Sequence, residues 1–461
     1  MNEPSAALAA SPPDQELAAA RRHLWMHFTE LERFQRADIP TIVRGSGTHV
    51  EDAAGRRYLD ALAALYCVNV GHGRTEIADV AAAQMRELAY YTTWNFANRP
   101  AIALAEKIAA LAPDPLNRVF FTSGGSESVE SAFKLMRQYH RLRGMPDKVK
   151  IVARQGAYHG TTMGALSVSG IPTIKAPFEP LVPGTLHGPR VDPYHADVGP
   201  VAHSIAQAEA MRAVIEAEGP ETVGAIIVEP VQNSGGCLTP EPVYFERLRA
   251  ICDEHDLLLI SDETICSWGR LGTWFGAEYF GYEPDIITTA KGITSAYIPM
   301  GAVIASDRVA EPFLEPGAMF AHGLTFGGHP VAAAVALENI AIIEREALCE
   351  HAASRGQSLR AALEGLRVIP IVGDVRGAGL FMAVELVSDR QSRAPIDADV
   401  LASWAGRVPR MLYERGLICR AMHRGAPVIQ FAPPLTLSED DVAELEAAMR
   451  GVLAEVAEEI A

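Results

Sequence analysis

Between about residues 61 and 325, short runs of Val, Ile and Leu alternate with stretches whose apolar positions recur at helical spacing. The runs at 118–122, 149–153, 223–228, 257–261, 285–289 and 300–305 predict strands. They are nearly continuous in apolar residues rather than strictly alternating, the pattern of strands covered on both faces. Helices are predicted between them, among others over 126–143 and 243–254. Strands and helices in alternation imply an α/β fold with a mostly parallel sheet.

The flanks read differently. Residues 1–15, with Pro4, Pro12 and Pro13, have the character of a poorly ordered arm, and 21–34 predicts an amphipathic helix. Positions 41–59 predict a small antiparallel meander with turns at 45–47 and 54–55. From Gly327 the pattern is helical to Leu363, then mixed, and it closes in an acidic helix from Ser438. The expected organisation is an N-terminal segment over 1–60, a large domain over 61–325 and a smaller C-terminal α/β domain over 326–461. The N-terminal segment is expected to pack with the smaller domain. A chain of 461 residues exceeds what one core usually supports, which fits two domains.

Charge narrows the function classes. The formal net charge of −17 disfavours a nucleic-acid binder, which needs basic surface to replace phosphate counterions, and disfavours anionic membrane surfaces. The six cysteines are scattered, with no CxxC pair and no zinc-like cluster. The Ala-rich opening carries Glu3, Asp14 and Glu16 without an apolar core of signal-peptide length. No window nears the ~18 apolar residues of a membrane span. A cytoplasmic protein is expected.

Three sites carry chemistry. In Phe120-Phe121-Thr122-Ser123-Gly124-Gly125-Ser126-Glu127 a strand runs into a Gly-Gly-Ser turn and then a helix. Free backbone N–H groups at a helix start make an anion or phosphate site, although Ser126 would serve equally as an ordinary N-cap. Asp262 follows the apolar run 257–260, at the strand end where open α/β sheets bind ligands. Its carboxylate could hold a protonated ring nitrogen or cap the next helix. Lys291 ends a third such run, over 285–289. A lysine desolvated there could form a Schiff base, whereas a lone lysine at a strand end is more often a surface residue.

These motifs resemble those of the class III (ω-amino acid) aminotransferases of pyridoxal-phosphate fold type I. The resemblance runs over roughly 21–435. It also rests on Ala157-Tyr158-His159-Gly160, Val228-Glu229-Pro230-Val231-Gln232, Thr325-Phe326-Gly327-Gly328-His329-Pro330 and Phe431-Ala432-Pro433-Pro434. It implies an aspartate-aminotransferase-like architecture and pyridoxal 5′-phosphate (PLP) as cofactor. In that likeness Lys291 would hold the cofactor and carry the proton, and Asp262 would pair with the ring nitrogen. Gly125 and Ser126 would bind the phosphate, and Tyr158 would stack on the ring. Thr264 would stand behind the ring and Glu229 beside the substrate. His159 would be a hydrogen-bonding neighbour, and Thr325 would reach the phosphate in the neighbouring subunit of a homodimer or dimer of dimers.

Departures from the family pattern carry information too. Thr264 replaces the usual Val, Ser267-Trp268 replaces Gly-Phe, and Ser123-Gly124-Gly125-Ser126 replaces Asn-Ser-Gly-Ser. Gln430 stands where relatives that use 2-oxoglutarate carry arginine. Residues 417–422 and 65–71 are similar to the amine:pyruvate branch, which implies Arg420 as the carboxylate clamp, with Arg424 as a substitute, and Tyr66 on the substrate wall. Trp94 and Phe28 are further wall candidates, with core packing as the alternative for each. The expected reaction is ping-pong transfer of an amino group from an ω-amino acid or amine to a 2-oxo acid, most simply pyruvate. Decarboxylation-dependent transamination and aminomutase chemistry share the same motifs. A non-catalytic regulator on this scaffold is disfavoured by the charge and by the presence of both Lys291 and Asp262.

Overall fold

The computed structural model describes residues 13–37 and 39–460. The opening arm expected over 1–15 lies almost entirely outside the described residues. The meander forms as expected. β1 (Ile42–Ser46), β2 (His49–Asp52) and β3 (Arg57–Asp60) pair antiparallel, and β13 (Leu417–Ile418) joins β3 in parallel. The N-terminal segment is thereby sewn to the C-terminal part of the chain. Gly47 and Gly55 supply the positive φ that its two turns need.

The central sheet has seven strands. In spatial order they are β4 (Leu116–Thr122), β10 (Gly301–Ser306), β9 (Ile286–Thr289), β8 (Leu258–Asp262), β7 (Val223–Val228), β5 (Lys150–Arg154) and β6 (Thr185–Gly188). Pairing is parallel from β9 through β6, while β10 runs antiparallel to both β9 and β4. Because β10 reverses twice, β4 points the same way as the parallel strands. The carboxyl ends of β4, β7, β8 and β9 therefore open on one edge.

All six residues of β7 are buried, and successive side chains reach opposite cores. Ile226 and Val228 pack with Phe245 and Leu248 of the helix Pro242–His255, whereas Ala225 and Ile227 pack with Ala132 and Met136 of the helix Gly125–Leu142. Each such aliphatic contributes about 1.5–3 kcal/mol on burial, which is why these strands read as continuous apolar runs. β4, at the sheet edge, is only partly buried, so double coverage does not extend to it. β6 carries the weakly apolar sequence TLHG and was not predicted.

A third sheet, β11 (Val372–Ala378), β12 (Phe381–Leu386), β15 (Val428–Phe431) and β14 (Arg420–Ala421), is antiparallel. The helices Pro330–Arg345, Leu348–Gly365 and Glu439–Ala457 contribute to one large apolar cluster with it. Ala347, in a left-handed conformation, divides the helical run after Gly327 in two. Ser438 caps the last helix through Asp441, as its acidic start implies.

The helix expected over 21–34 is corrected. The structure has Pro13–His23 and Leu31–Arg36, with Phe28 at φ 50° between them. Leu24, Trp25 and Phe28 are exposed, so no packing holds their turn helical, and Phe34 alone is buried.

Candidate active site

Four strand ends and one loop converge on a cavity of about 300 Å³ lined by Ser123–Ser126, Tyr158, His159, Glu229, Asp262, Thr264 and Lys291. The parallel pairing of β8 with β9 sets Asp262 opposite Thr288. Lys291 comes two residues after β9 ends, in the left-handed region at φ 47°. Glu229 follows β7 directly. Register thus brings the acids and the lysine to one place.

Asp262 is 4% exposed. Its Oδ1 accepts from the Thr264 amide at 3.1 Å, the Thr264 hydroxyl at 2.6 Å and the Thr288 hydroxyl at 3.1 Å. Its Oδ2 accepts from His159 Nδ1 at 2.8 Å. Burial works to raise the carboxyl, but the bonds from His159 and Thr264 outweigh it and hold Asp262 below the ordinary carboxylate range. It is therefore an anion at neutral pH. With one donor on Oδ2, a lone pair remains for a second N–H.

At the other end, the helix Gly125–Leu142 starts in the cavity wall, where its first-turn amides have no intrahelical acceptor. A Cβ on Gly125 would stand 2.7 Å from Thr264 Cγ2, so no other residue fits there without displacement. The Thr161 amide donates to Ser126 Oγ at 3.1 Å, which fixes the hydroxyl beside the cavity. An N-terminal amide cradle, a buried anion with a spare acceptor and a lysine lining the same cavity suit a phosphorylated, protonated pyridine with a carbonyl. The residues fit PLP.

Glu229 accepts from the amides of Tyr158 at 3.3 Å and Asn233 at 3.0 Å, and burial pushes its carboxyl up. Gln430 of β15 donates to the Asn233 carbonyl at 2.8 Å and lies opposite Arg420 of β14. Arg420 Nη1 donates to the Tyr66 hydroxyl at 2.9 Å. Burial pushes Tyr66 up to about 12, so it stays neutral.

Some of the expected site residues lie elsewhere. Thr325 is exposed and away from this cavity, its carbonyl accepting from Tyr90 at 2.5 Å. Trp94 is 59% exposed and lines a different cavity with Phe121 and Phe320. Phe28 is 70% exposed, with the Arg424 guanidinium 6.0 Å from its ring centre. Tyr66 and Arg420 do not line the cavity around Lys291, although Cys67 does. Sequence reasoning missed Cys67, Val231 and Ile265 as lining residues, and Thr288 as a donor to Asp262. The signal for Thr288 is its place in the strand beside Asp262; the apolar liners give none.

Residues 34–453 match the model of the aminotransferase class-III family. A probable aminotransferase of Mycobacterium tuberculosis is 49% identical over 98% of this chain and 95% of its own length. A putrescine–pyruvate aminotransferase of Pseudomonas aeruginosa is 37% identical over 93% of each chain. Among solved structures, an (S)-enantioselective ω-transaminase of Thermomicrobium roseum superposes with a TM-score of 0.93 at 39% identity, covering 97% of this chain and 100% of that one. Pairing of a lysine and a carboxylate at adjacent strand ends is thus matched by likeness along nearly the whole chain, which belongs to the class-III aminotransferases, PLP-dependent enzymes of fold type I that move amino groups from amines to keto acids.

Proposed function

We propose that this aminotransferase takes its amino group from an ω-amino acid or amine and delivers it to pyruvate. The observation that carries the reading is that Lys291 and Asp262 border one cavity. Bound PLP supplies an electron sink for negative charge at the substrate carbon. Asp262, held anionic by His159 and Thr264, keeps a proton on the ring nitrogen. Lys291 Nζ takes the proton from the substrate carbon and returns it. The amides at Gly125 and Ser126 bind the phosphate, Tyr158 and Thr264 confine the ring, and Glu229 holds the loop through Asn233 in place.

Support for a 2-oxo acid acceptor comes from Arg420 and Arg424, which have no carboxylate partner among the described residues. A guanidinium fork matches a carboxylate bidentately. Gln430 beside Arg420 offers no second charge, which favours the small monocarboxylate pyruvate over 2-oxoglutarate. The putrescine–pyruvate and taurine–pyruvate aminotransferases among the relatives support the same acceptor.

We also read the enzyme as a cytoplasmic homodimer or dimer of dimers, with Thr325 reaching the partner's phosphate site and Trp94 and Phe28 completing substrate walls. The exposed aromatics Tyr90, Trp94, Phe96 and Phe326 near Thr325 support a covered face, and six unpaired cysteines suit a reducing compartment. No described helix is long and apolar enough to cross a membrane. The division into 1–60, 61–325 and 326–461 is kept, supported by the central sheet falling wholly within 116–306.

The test is the visible spectrum of the holoenzyme. An amine without keto acid should bleach the band of the bound cofactor, and pyruvate should restore it. A band that no amine bleaches, or that 2-oxoglutarate restores and pyruvate does not, refutes the reading.

A further inference from the structure

Lys291 holds an unfavourable backbone conformation at φ 47°, and Ser295 and Ala296 follow it at 47° and 60°. Such conformations persist only where the surroundings over-determine them. The turn 291–296 therefore needs a frame, and buried side chains on both sides of it supply one.

On the near side the frame is Thr289, two residues before the lysine. Its hydroxyl accepts from Trp268 Nε1 at 2.7 Å. Ser267 Oγ gives its one proton to the Glu263 carbonyl, so Thr289 is the donor in the 2.7 Å bond between the two hydroxyls.

On the far side the frame is Asn339. It is fully buried in the helix Pro330–Arg345, and among the described residues it is the only polar side chain on that helix's buried face. A carboxamide in such surroundings is costly unless its atoms are paired. Asn339 Nδ2 donates to the Gly292 carbonyl at 2.8 Å and to the Ile293 carbonyl at 3.1 Å, the two that follow Lys291. Its Oδ1 accepts from the Ser295 hydroxyl at 2.6 Å. Both amide protons and the oxygen are thus directed at one turn. Ser295 Oγ accepts in its turn from the Val70 amide at 3.1 Å, three residues after Cys67 of the cavity wall. Slack is small here, since a Cβ on Gly292 would stand 2.5 Å from Asn69 Nδ2 and 3.0 Å from Trp268 Cβ.

The helix that carries Asn339 is itself anchored, with Ala336, Ile340 and Ile343 in the large apolar cluster. Fixing the two peptide planes after Lys291 fixes the direction in which its side chain leaves the backbone. That direction sets where Nζ stands in the cavity. Asn339 does not line the cavity, so whatever it does there it does through the lysine.

Resting on the role of Lys291 proposed above, we infer that Asn339 is a positioning residue, which holds the turn 291–296 so that Nζ meets the substrate carbon. Ser295 ties the wall segment that carries Cys67 to the same turn.

The experiment uses the holoenzyme of Asn339→Asp, an isostere that turns the donor into an acceptor facing two carbonyls. With 1-phenylethylamine and pyruvate, kcat should fall about 10- to 100-fold, the loss that a displacement of ~1 Å at the reacting group brings. The KM for pyruvate should stay within about threefold, because binding is not what the turn controls. The pH at which the visible band of the bound cofactor changes should move by roughly half a unit or more, since Nζ and the charge of Asp262 have shifted relative to each other. Ile340→Val, one residue along the same helix, removes a core methyl and controls for stability alone. It should melt lower while keeping the wild-type kcat and band. Ser295→Ala deletes the bond to Oδ1 and should lower kcat by about 3- to 10-fold.

An Asn339→Asp enzyme that melts lower yet keeps the wild-type kcat and band overturns the inference, as does an equal loss of kcat in Ile340→Val. If Asn339→Asp fails to fold, Asn339→Ala and Ser295→Ala decide by the same two readouts. Lys291→Ala alongside separates the failures. Turnover by that variant sinks the reading of Lys291, whereas an inert Lys291→Ala beside unperturbed Asn339 variants sinks only this inference.

Discussion

His159 and Asp262 form a buried pair, joined by a 2.8 Å hydrogen bond from Nδ1 to Oδ2, with His159 Nε2 lacking a partner among the described residues. The carboxylate can only accept, so the imidazole proton sits on Nδ1. Asp262→Asn keeps the shape, removes the charge and presents an NH2 to that Nδ1. Turnover should drop by about 10²-fold or more while cofactor absorbance is retained. Wild-type kcat in the variant would remove Asp262 from its role at the ring.

Lys291→Ala should abolish turnover, by more than about 10³-fold, because no other ammonium among the described residues borders the cavity to carry the proton. Multiple-turnover assays with pyruvate and circular dichroism check this together. Substantial turnover by a folded variant contradicts the assignment.

Gly125→Ala forces a methyl to within 2.7 Å of Thr264 Cγ2. Overpacking of this kind costs about 1–3 kcal/mol, and cofactor retention should weaken by roughly 5- to 100-fold. Thr264→Ser removes the clashing methyl and keeps the hydroxyl that donates to Asp262, so the double variant should regain most of the affinity. Equilibrium titration with PLP measures both; no recovery would place the fault in the amide cradle instead.

Arg420→Ala should raise the KM for pyruvate by about 10- to 100-fold, and that for a carboxylate-free amine such as 1-phenylethylamine far less. Equal effects on both would take Arg420 out of the clamp.

Glu263 lies next to Asp262 in sequence but serves the fold. Its carboxylate accepts from the Gly276 and Ala277 amides and the Ser261 hydroxyl, with Tyr282 bonded to the same hydroxyl and the charge of Glu278 opposing its ionisation. Burial outweighs those bonds and pushes it up to about 7 from the ordinary 4.5. The folded chain therefore holds this proton more tightly than the unfolded one. The stability it contributes is full below about pH 4.5 and is lost as pH rises through 7, on the order of 3 kcal/mol in all. Melting temperature should show this decline, and Glu263→Gln should flatten it. An unchanged slope in the variant rules Glu263 out as its source.

The strands were legible because doubly covered positions admit only apolar residues, and β7 through β9 therefore read as unbroken runs ending in Glu229, Asp262 and Lys291. β6 was not, since an edge strand of TLHG carries little apolar signal. The helix over 21–34 failed because periodicity shows which face could be buried and not whether anything covers it. Ser267 and Trp268 replace a smaller family pair, and only the structure shows that both bond Thr289 Oγ1, at 2.7 Å each, two residues before Lys291. Such contacts join residues by strand register and packing, which a linear pattern does not carry.

Lys291 at φ 47°, and Ala63, Ala64 and Tyr66 at 46°, 57° and 63°, occupy a backbone region that side chains disfavour by roughly 1–3 kcal/mol each. Glycine would relax every one of them. A directed-evolution campaign that scored only thermal survival would drift towards glycine at these positions, and its most robust survivors would be inert proteins. For this enzyme, selection for heat resistance has to be coupled to turnover at every round.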